Sequence, residues 1–313
     1  MKFLVTGGAG FIGSHLCNRL LSEGHGVKCL DNFYNGNLNN IRGFFNNPNF
    51  QFITGDVRDI SLMRELTRDV DHVFHLAAQI HVEKSLIRAE ETCDININGT
   101  RVLLELGKEN KNLSMTLASS AEVYGEGIHS ESSPLNPQSP YAASKVSAEA
   151  MCIAYYHSYG VDVRVIRNFN TFGPKQKAHG YGAVIAIFTQ RVLNNKPPII
   201  YGSGHQTRDY QFIDDAIEGY ILSLSVPAGQ IYNTGSGADT TITHIAEKVI
   251  EAAGKNLQPI YADPRPGEVM KLRADITKLQ KYGYEPKFTL EQGLEKYVEW
   301  ARDYSFETLG YMT

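Results

Sequence analysis

Tyr141 and Lys145 stand four positions apart in "SPYAASKVSAEA" (139–150), a stretch otherwise built mostly from small residues. On a helix that spacing sets both side chains on one face, one turn apart. A phenol titrates near 10 in water and is a poor base at neutral pH. A neighbouring cation favours the phenolate. The pair can then take a proton from a sugar or alcohol hydroxyl while hydride leaves the adjoining carbon. Ala142, Ala143 and Ser144 leave room for reactants to come close. Tyr-x-x-x-Lys also occurs on many ordinary helix surfaces, so its meaning depends on the rest of the chain.

A hydride needs an acceptor, and the N-terminus offers a seat for one. "VTGGAGFIGSHL" (5–16) follows a strand-like run and opens a helix. Gly7, Gly10 and Gly13 permit a tight turn and close approach of backbone to a pyrophosphate. Phe11, Ile12 and Gly13, candidates to touch the cofactor, lead into the helix, whose free N–H groups and positive dipole end suit an anion. Asp31 closes the second strand, followed by Asn32. A carboxylate there can grip the adenosine ribose and would repel a 2′-phosphate, which predicts NAD over NADP. Asp56, with Val57 beside it in "TGDVRD" (54–59), is a candidate for the adenine amino group. The positive nicotinamide ring would join Lys145 in stabilising the Tyr141 phenolate.

These residues must be held by a scaffold, and the hydrophobic pattern predicts one. "KFLVT" (2–6), "VKCLD" (27–31), "FQFIT" (50–54), "DHVFHLA" (71–77), "LSMTLAS" (113–119) and "VDVRVIR" (161–167) read as strands. Helical stretches at 14–24, 99–110 and 141–160 fall between several of them. Beyond about residue 170 glycine, proline and short elements dominate, with helices expected at 183–194, 214–225 and 243–254. The expected fold class is α/β, a Rossmann-type doubly wound parallel sheet with a smaller mixed α/β C-terminal substrate lobe. Residues 1–170 would form the NAD-binding domain, taking in segments from about 206–235, and 171–313 the substrate lobe.

Bulk composition narrows the partners. A formal charge of -4 with no basic block points away from nucleic acid and anionic membranes. The opening "MKFLV" is too short for the apolar core of a signal peptide, and no apolar run nears the roughly 18 residues of a membrane helix. Four widely spaced cysteines, with no Cys-x-x-Cys, read as reduced core thiols in a cytoplasmic protein. The ten histidines include no His-x-x-x-His pair, so no metal site is expected.

Several motifs in order carry a resemblance. They are "TGGAGFIGSHL", "HLAAQ" (75–79), "NINGT" (96–100), "SSAEVYG" (119–125), "SPYAASK" (139–145), "RNFNTFGP" (167–174), "GSGHQTRDY" (202–210) and "PRPGE" (264–268). Over nearly its whole length the chain resembles the extended short-chain dehydrogenase/reductase family, specifically its NAD-dependent nucleotide-sugar epimerases and dehydratases. The resemblance implies Tyr141 as base and Lys145 as its partner on the nicotinamide ribose. It implies Ser120 bonding the hydroxyl to be oxidised, and Leu76, Ala77, Ala78 and Asn96 bordering NAD. Asn170 would help hold the sugar or its phosphates, and Arg208 and Arg265 would clamp the diphosphate with their forked guanidinium groups.

The implied reaction starts with oxidation at C4 of the bound sugar. A 4-epimerase then returns hydride to the other face. A 4,6-dehydratase removes the C5 proton, expels the C6 hydroxyl and returns hydride to C6. Glu122 discriminates: its position resembles that of the dehydratase C5 base, and "HVEKS" (81–85) is similar to dehydratase sequences. Against this, Ala121 stands where some dehydratases carry an acidic residue, and "GYGAVIAIFTQRVLNNKPPIIYGSG" (180–204) is similar to 4-epimerases. The balance tips slightly to the dehydratase. A UDP-uronic acid decarboxylase or a non-catalytic NAD-binding module ranks lower. The resemblance also implies UDP as the nucleotide and a homodimer pairing helices near 85–108 and 141–159.

Overall fold

The structure, a computed structural model, describes residues 1–178, 183–265 and 268–303. Residues 180–182 of the epimerase-like stretch, and Pro266 and Gly267 of "PRPGE", lie outside them. The chain divides into two units. One comprises residues 1–123, 135–168 and 217–232; the other comprises 124–134, 169–216 and 233–313.

The first unit is built on a seven-stranded sheet. In spatial order its strands are Gln230–Thr234, Asp162–Asn168, Ser114–Ser120, His72–His75, Lys2–Thr6, Gly26–Asp31 and Phe50–Thr54. From Asp162–Asn168 across to Phe50–Thr54 every neighbouring pair is parallel. The central strands are nearly continuous apolar runs because helices cover both faces. Leu4, Val73, Leu117, Val163 and Val165 make the middle of that core. The chain winds outward from Lys2–Thr6 to Phe50–Thr54, then crosses back to place His72–His75 on the other side of the first strand. That reversal opens a crevice at the carboxyl ends of Lys2–Thr6 and His72–His75, the usual ligand position in such sheets.

Two helices carry candidate residues of this unit. Phe11–Ser22 leaves the first strand through the glycine turn. Pro140–Tyr159 has its start and stop written in the sequence. Ser139 caps it by accepting from the Ala142 N–H at 3.1 Å, and Pro140 opens its first turn. Gly160 ends it in the left-handed region at φ 66°. The expected strands and principal helices are all present. The fourth strand is shorter than expected, His72–His75. The stretch near 85–108 is broken into Val82–Ile87, Ala89–Cys93, a π-helical turn Asp94–Asn98 and Gly99–Glu109.

The second unit carries a four-stranded sheet ordered Thr240–Thr241, Thr207–Arg208, Lys271–Ala274, Gly127–His129. Two short parallel pairs accompany it, Tyr210–Phe212 with Asn170–Phe172 and Ile260–Ala262 with Ile199–Tyr201. Helices Val184–Leu193, Ile242–Ala252 and Leu290–Asp303 pack against one another. Among the described residues no helix is long and apolar enough to cross a membrane. No group of three or more His, Cys, Asp or Glu among them could hold a metal ion.

Candidate active site

The glycine turn is shaped by close backbone approach. Gly7 sits at φ 70°, and a Cβ there would lie 2.7 Å from the Ala77 nitrogen. A Cβ on Gly13 would lie 2.2 Å from the Gly7 carbonyl oxygen. The Gly10 N–H donates to that same carbonyl at 3.0 Å. Gly10 at the N-cap offers no side chain to the helix that begins at Phe11, which leaves its first-turn N–H groups without that cap. A loop that only glycine can form, leading into an uncapped helix N-terminus, fits a dinucleotide pyrophosphate.

Asp31 ends its strand beside this turn and is buried. Its carboxylate accepts the Ala9 N–H at 2.9 Å and the Phe33 N–H at 2.7 Å. Backbone donors thus fix the carboxylate at the crevice edge, where a ribose would meet it. Asn32 is exposed; its amide carbonyl accepts from the Tyr34 N–H at 3.0 Å and its NH2 donates to Asp56 at 3.3 Å. Asp56 is engaged by Arg58 through both carboxylate oxygens, at 2.9 and 2.7 Å, which holds its carboxyl below the usual range. Val57 is buried against Gly99.

The loop after the fourth strand is tied down on every side. Leu76 N–H donates to the Thr6 carbonyl and Ala77 N–H to the Thr6 hydroxyl, at 3.1 and 3.3 Å. The Ala78 carbonyl accepts from the Asn35 amide at 2.9 Å. Asn96, expected to border the cofactor, is buried and spends its side chain on the protein. Its carbonyl accepts the Gln79 N–H at 2.8 Å, and its NH2 donates to the Gln79 carbonyl at 3.0 Å and the Ser144 hydroxyl at 2.9 Å. The π-helical turn aims it there. Ser144 in turn donates to the Tyr141 carbonyl at 2.7 Å, linking this loop to the helix that carries Tyr141.

Ser120 stands at the end of its strand, and its hydroxyl works to lower the Tyr141 phenol's proton affinity. The Glu122 N–H donates to the Ser120 Oγ at 3.2 Å. Lys145 Nζ donates to the Ala118 carbonyl at 2.9 Å and lies 6.0 Å from the Tyr141 ring centre. Burial pushes the Tyr141 phenol up to about 12; the Ser120 hydroxyl opposes this and the Glu122 charge adds to it. Burial pulls the Lys145 ammonium down to about 8. The expected phenolate draws on the nicotinamide charge as well as on Lys145. Burial is the largest influence on the Tyr141 phenol and holds it neutral.

In the second unit, Asn170, Arg208 and Arg265 line one pocket of about 100 Å³. Tyr201, Gln206 and Glu268 line it too. The Arg265 guanidinium lies 4.1 Å over the Tyr201 ring, and the Arg208 guanidinium donates to the Thr207 carbonyl at 2.9 Å. Gln206 donates to the Tyr201 carbonyl at 2.9 Å and to Glu268 at 3.4 Å. Sequence reasoning passed over Tyr201, Gln206 and Glu268, although all three lie within or next to the motifs that hold Arg208 and Arg265. Two guanidinium groups, an aromatic face and a carboxylate suit an anionic ligand with a ring and hydroxyls.

Comparison with known proteins agrees with this geometry. The family model described as GDP-mannose 4,6 dehydratase matches residues 4–297. UDP-glucose 4-epimerase of Mycolicibacterium smegmatis is 36% identical over 315 residues, covering 97% of this chain and 100% of that one. The crystal structure of Thermotoga maritima UDP-glucose 4-epimerase with UDP-glucose superposes with a TM-score of 0.90 at 34% identity, covering 97% and 99% of the two chains. That of Bacillus anthracis dTDP-glucose 4,6-dehydratase in complex with NAD gives 0.89 at 30% identity, covering 99% and 100%. With the glycine turn, the Ser120–Tyr141–Lys145 set and likeness over nearly all its length, the chain belongs to the GDP-mannose 4,6-dehydratase family of extended short-chain dehydrogenase/reductases, the NAD-dependent nucleotide-sugar epimerases and dehydratases.

Proposed function

We propose that this protein binds NAD and a nucleotide-diphosphate sugar, UDP-linked, oxidises the sugar at C4, and completes the reaction as a 4,6-dehydratase. Bound NAD would supply the hydride acceptor at C4 and the donor that closes the cycle. The glycine turn and Asp31 hold its pyrophosphate and ribose; Arg208 and Arg265 hold the sugar's diphosphate, with Asn170 beside them. Tyr141 takes the proton of the C4 hydroxyl, which Ser120 orients. Glu122 then takes the C5 proton, made acidic by the neighbouring 4-keto group. Once protonated, it returns a proton to the departing C6 hydroxyl, because Ala121 offers no acid of its own.

The observation that carries this reading is Glu122 in the turn directly after Ser120. Its N–H rests on Ser120 Oγ, and its charge reaches the Tyr141 phenol. A carboxylate so close to the base is unfavourable for making a phenolate, and a second proton-transfer task would account for it. The test is the product from a panel of nucleotide sugars by proton NMR: a C6 methyl signal supports the dehydratase. The second reading is a UDP-sugar 4-epimerase. Ala121, buried and apolar beside Glu122, favours it by leaving the C6 leaving group without a dedicated acid. We further propose a homodimer through the helices near 85–108 and 141–159. Leu86 and Ile87, 65% and 84% exposed, are the apolar surface that pairing would help cover.

A further inference from the structure

Behind the Tyr141–Lys145 face lies a buried charge pair that the proton chemistry of the site does not use. Glu149 comes one turn after Lys145 on Pro140–Tyr159. Arg167, on Asp162–Asn168, pairs in register with Ser119, next to Ser120. Its Nε donates to the two Glu149 carboxylate oxygens at 2.9 and 3.1 Å, and its Nη2 to one of them at 2.6 Å. Both side chains are 2% exposed. Two ions this deep are costly to desolvate, and apolar residues of like volume often serve the fold as well or better. A pair kept there, one turn from the site's lysine, calls for a second task.

We propose that Glu149 is a positioning residue that acts through Lys145: its carboxylate keeps the lysine charged on the Ala118 carbonyl, and Arg167 locks the carboxylate in place. The inference rests on the reading of Lys145 as partner of Tyr141. Lys145 Nζ is bonded to a backbone carbonyl, a neutral acceptor. Its burial lowers its proton affinity, and Glu149 is the largest influence opposing that loss. The other titratable groups around it do less. Cys152, on the same helix, is a neutral buried thiol whose proton affinity is raised. Tyr141 is a neutral phenol. His75, from the neighbouring strand, is buried and neutral, lowered to about 3, between the Thr6 and Thr100 hydroxyls. Arg167 is a cation turned onto Glu149. Glu149 is the carboxylate of this set, so the lysine's charge depends on it.

The experiment is an NMR titration of Lys145 in protein labelled with ¹³C-lysine, with the resonance assigned by its loss in Lys145→Met. In Glu149→Gln the midpoint should fall by about one unit, a tenfold smaller charged fraction above it. That variant leaves Arg167 buried without its partner and can fail to fold. Glu149→Gln with Arg167→Met removes both charges together and should still show a lowered midpoint. An unmoved midpoint in the folded double variant would overturn the proposal and leave the pair a purely structural bridge. The titration needs no substrate, so its failure and the failure of the catalytic reading are separate results.

Discussion

At Tyr141 burial and partnership pull in opposite directions. Desolvation holds the phenol neutral, and the Ser120 hydroxyl only partly offsets it. On the proposed reading the phenol gives up its proton only when cofactor and substrate are both seated. Tyr141→Phe keeps the ring's packing and removes the proton acceptor. It should fold, bind NAD with unchanged affinity and lose about 10²–10⁴-fold in turnover, read by parallel binding and steady-state assays. Lys145 carries the opposite cost. Its folded value of about 8 lies below the ordinary lysine value of 10.5. Below pH 8 the folded protein bears the full penalty of a buried ammonium. The penalty fades as pH rises from 8 to 10.5, where the unfolded lysine also loses its proton. Lys145→Met should thus raise stability without NAD by up to about 3 kcal/mol at pH 7, with the gain shrinking as the solution turns alkaline in thermal melts. The tyrosine and lysine were legible because their chemistry is tied to spacing. Glu149 and Arg167 were not, because a charge on a helix or strand looks the same in sequence whether it meets water or its opposite.

The elements owe their precision to backbone contacts that side chains would spoil. Gly13 is the tightest case, 2.2 Å from a backbone oxygen that cannot step aside. Gly13→Ala should destabilise the protein by about 1–3 kcal/mol and weaken NAD binding, while Gly43→Ala, with open space around it, should change neither. Calorimetric melts and NAD titration would check the pair. Six strands of the main sheet were readable because most carry buried apolar or β-branched residues; Phe50–Thr54, only partly buried, was readable from its aromatic and β-branched residues. Gln230–Thr234, the seventh, reads "QIYNT" and takes its strand form from its place beside Asp162–Asn168 rather than from its own pattern. Leu290–Asp303 went unread although Leu294, Tyr297, Val298 and Ala301 recur at helical spacing and are buried. The break near Arg88 and the π-helical turn at Asp94–Asn98 have no local signal; the bonds of Asn96 to Gln79 and Ser144 explain the turn only once the fold exists.

On the scale of the whole molecule, the chain combines a cofactor crevice readable from its glycine spacing with a reaction that, on the proposed reading, one loop residue decides. Asp31, fixed by backbone donors at the crevice edge, predicts strong preference for NAD over NADP, and Asp31→Ala should narrow that preference in direct binding measurements. The fate of the 4-keto sugar is the central claim, and relatives of near-equal likeness carry epimerase and dehydratase names. Turnover in heavy water tests it most directly, with the product read by proton NMR. If Glu122 is the C5 base, the proton it takes exchanges with solvent. The product then carries a C6 methyl group and deuterium at C5, and Glu122→Gln accumulates the 4-keto sugar together with NADH. Inversion at C4, with no methyl signal and no solvent deuterium on carbon, would contradict the dehydratase assignment and establish the epimerase.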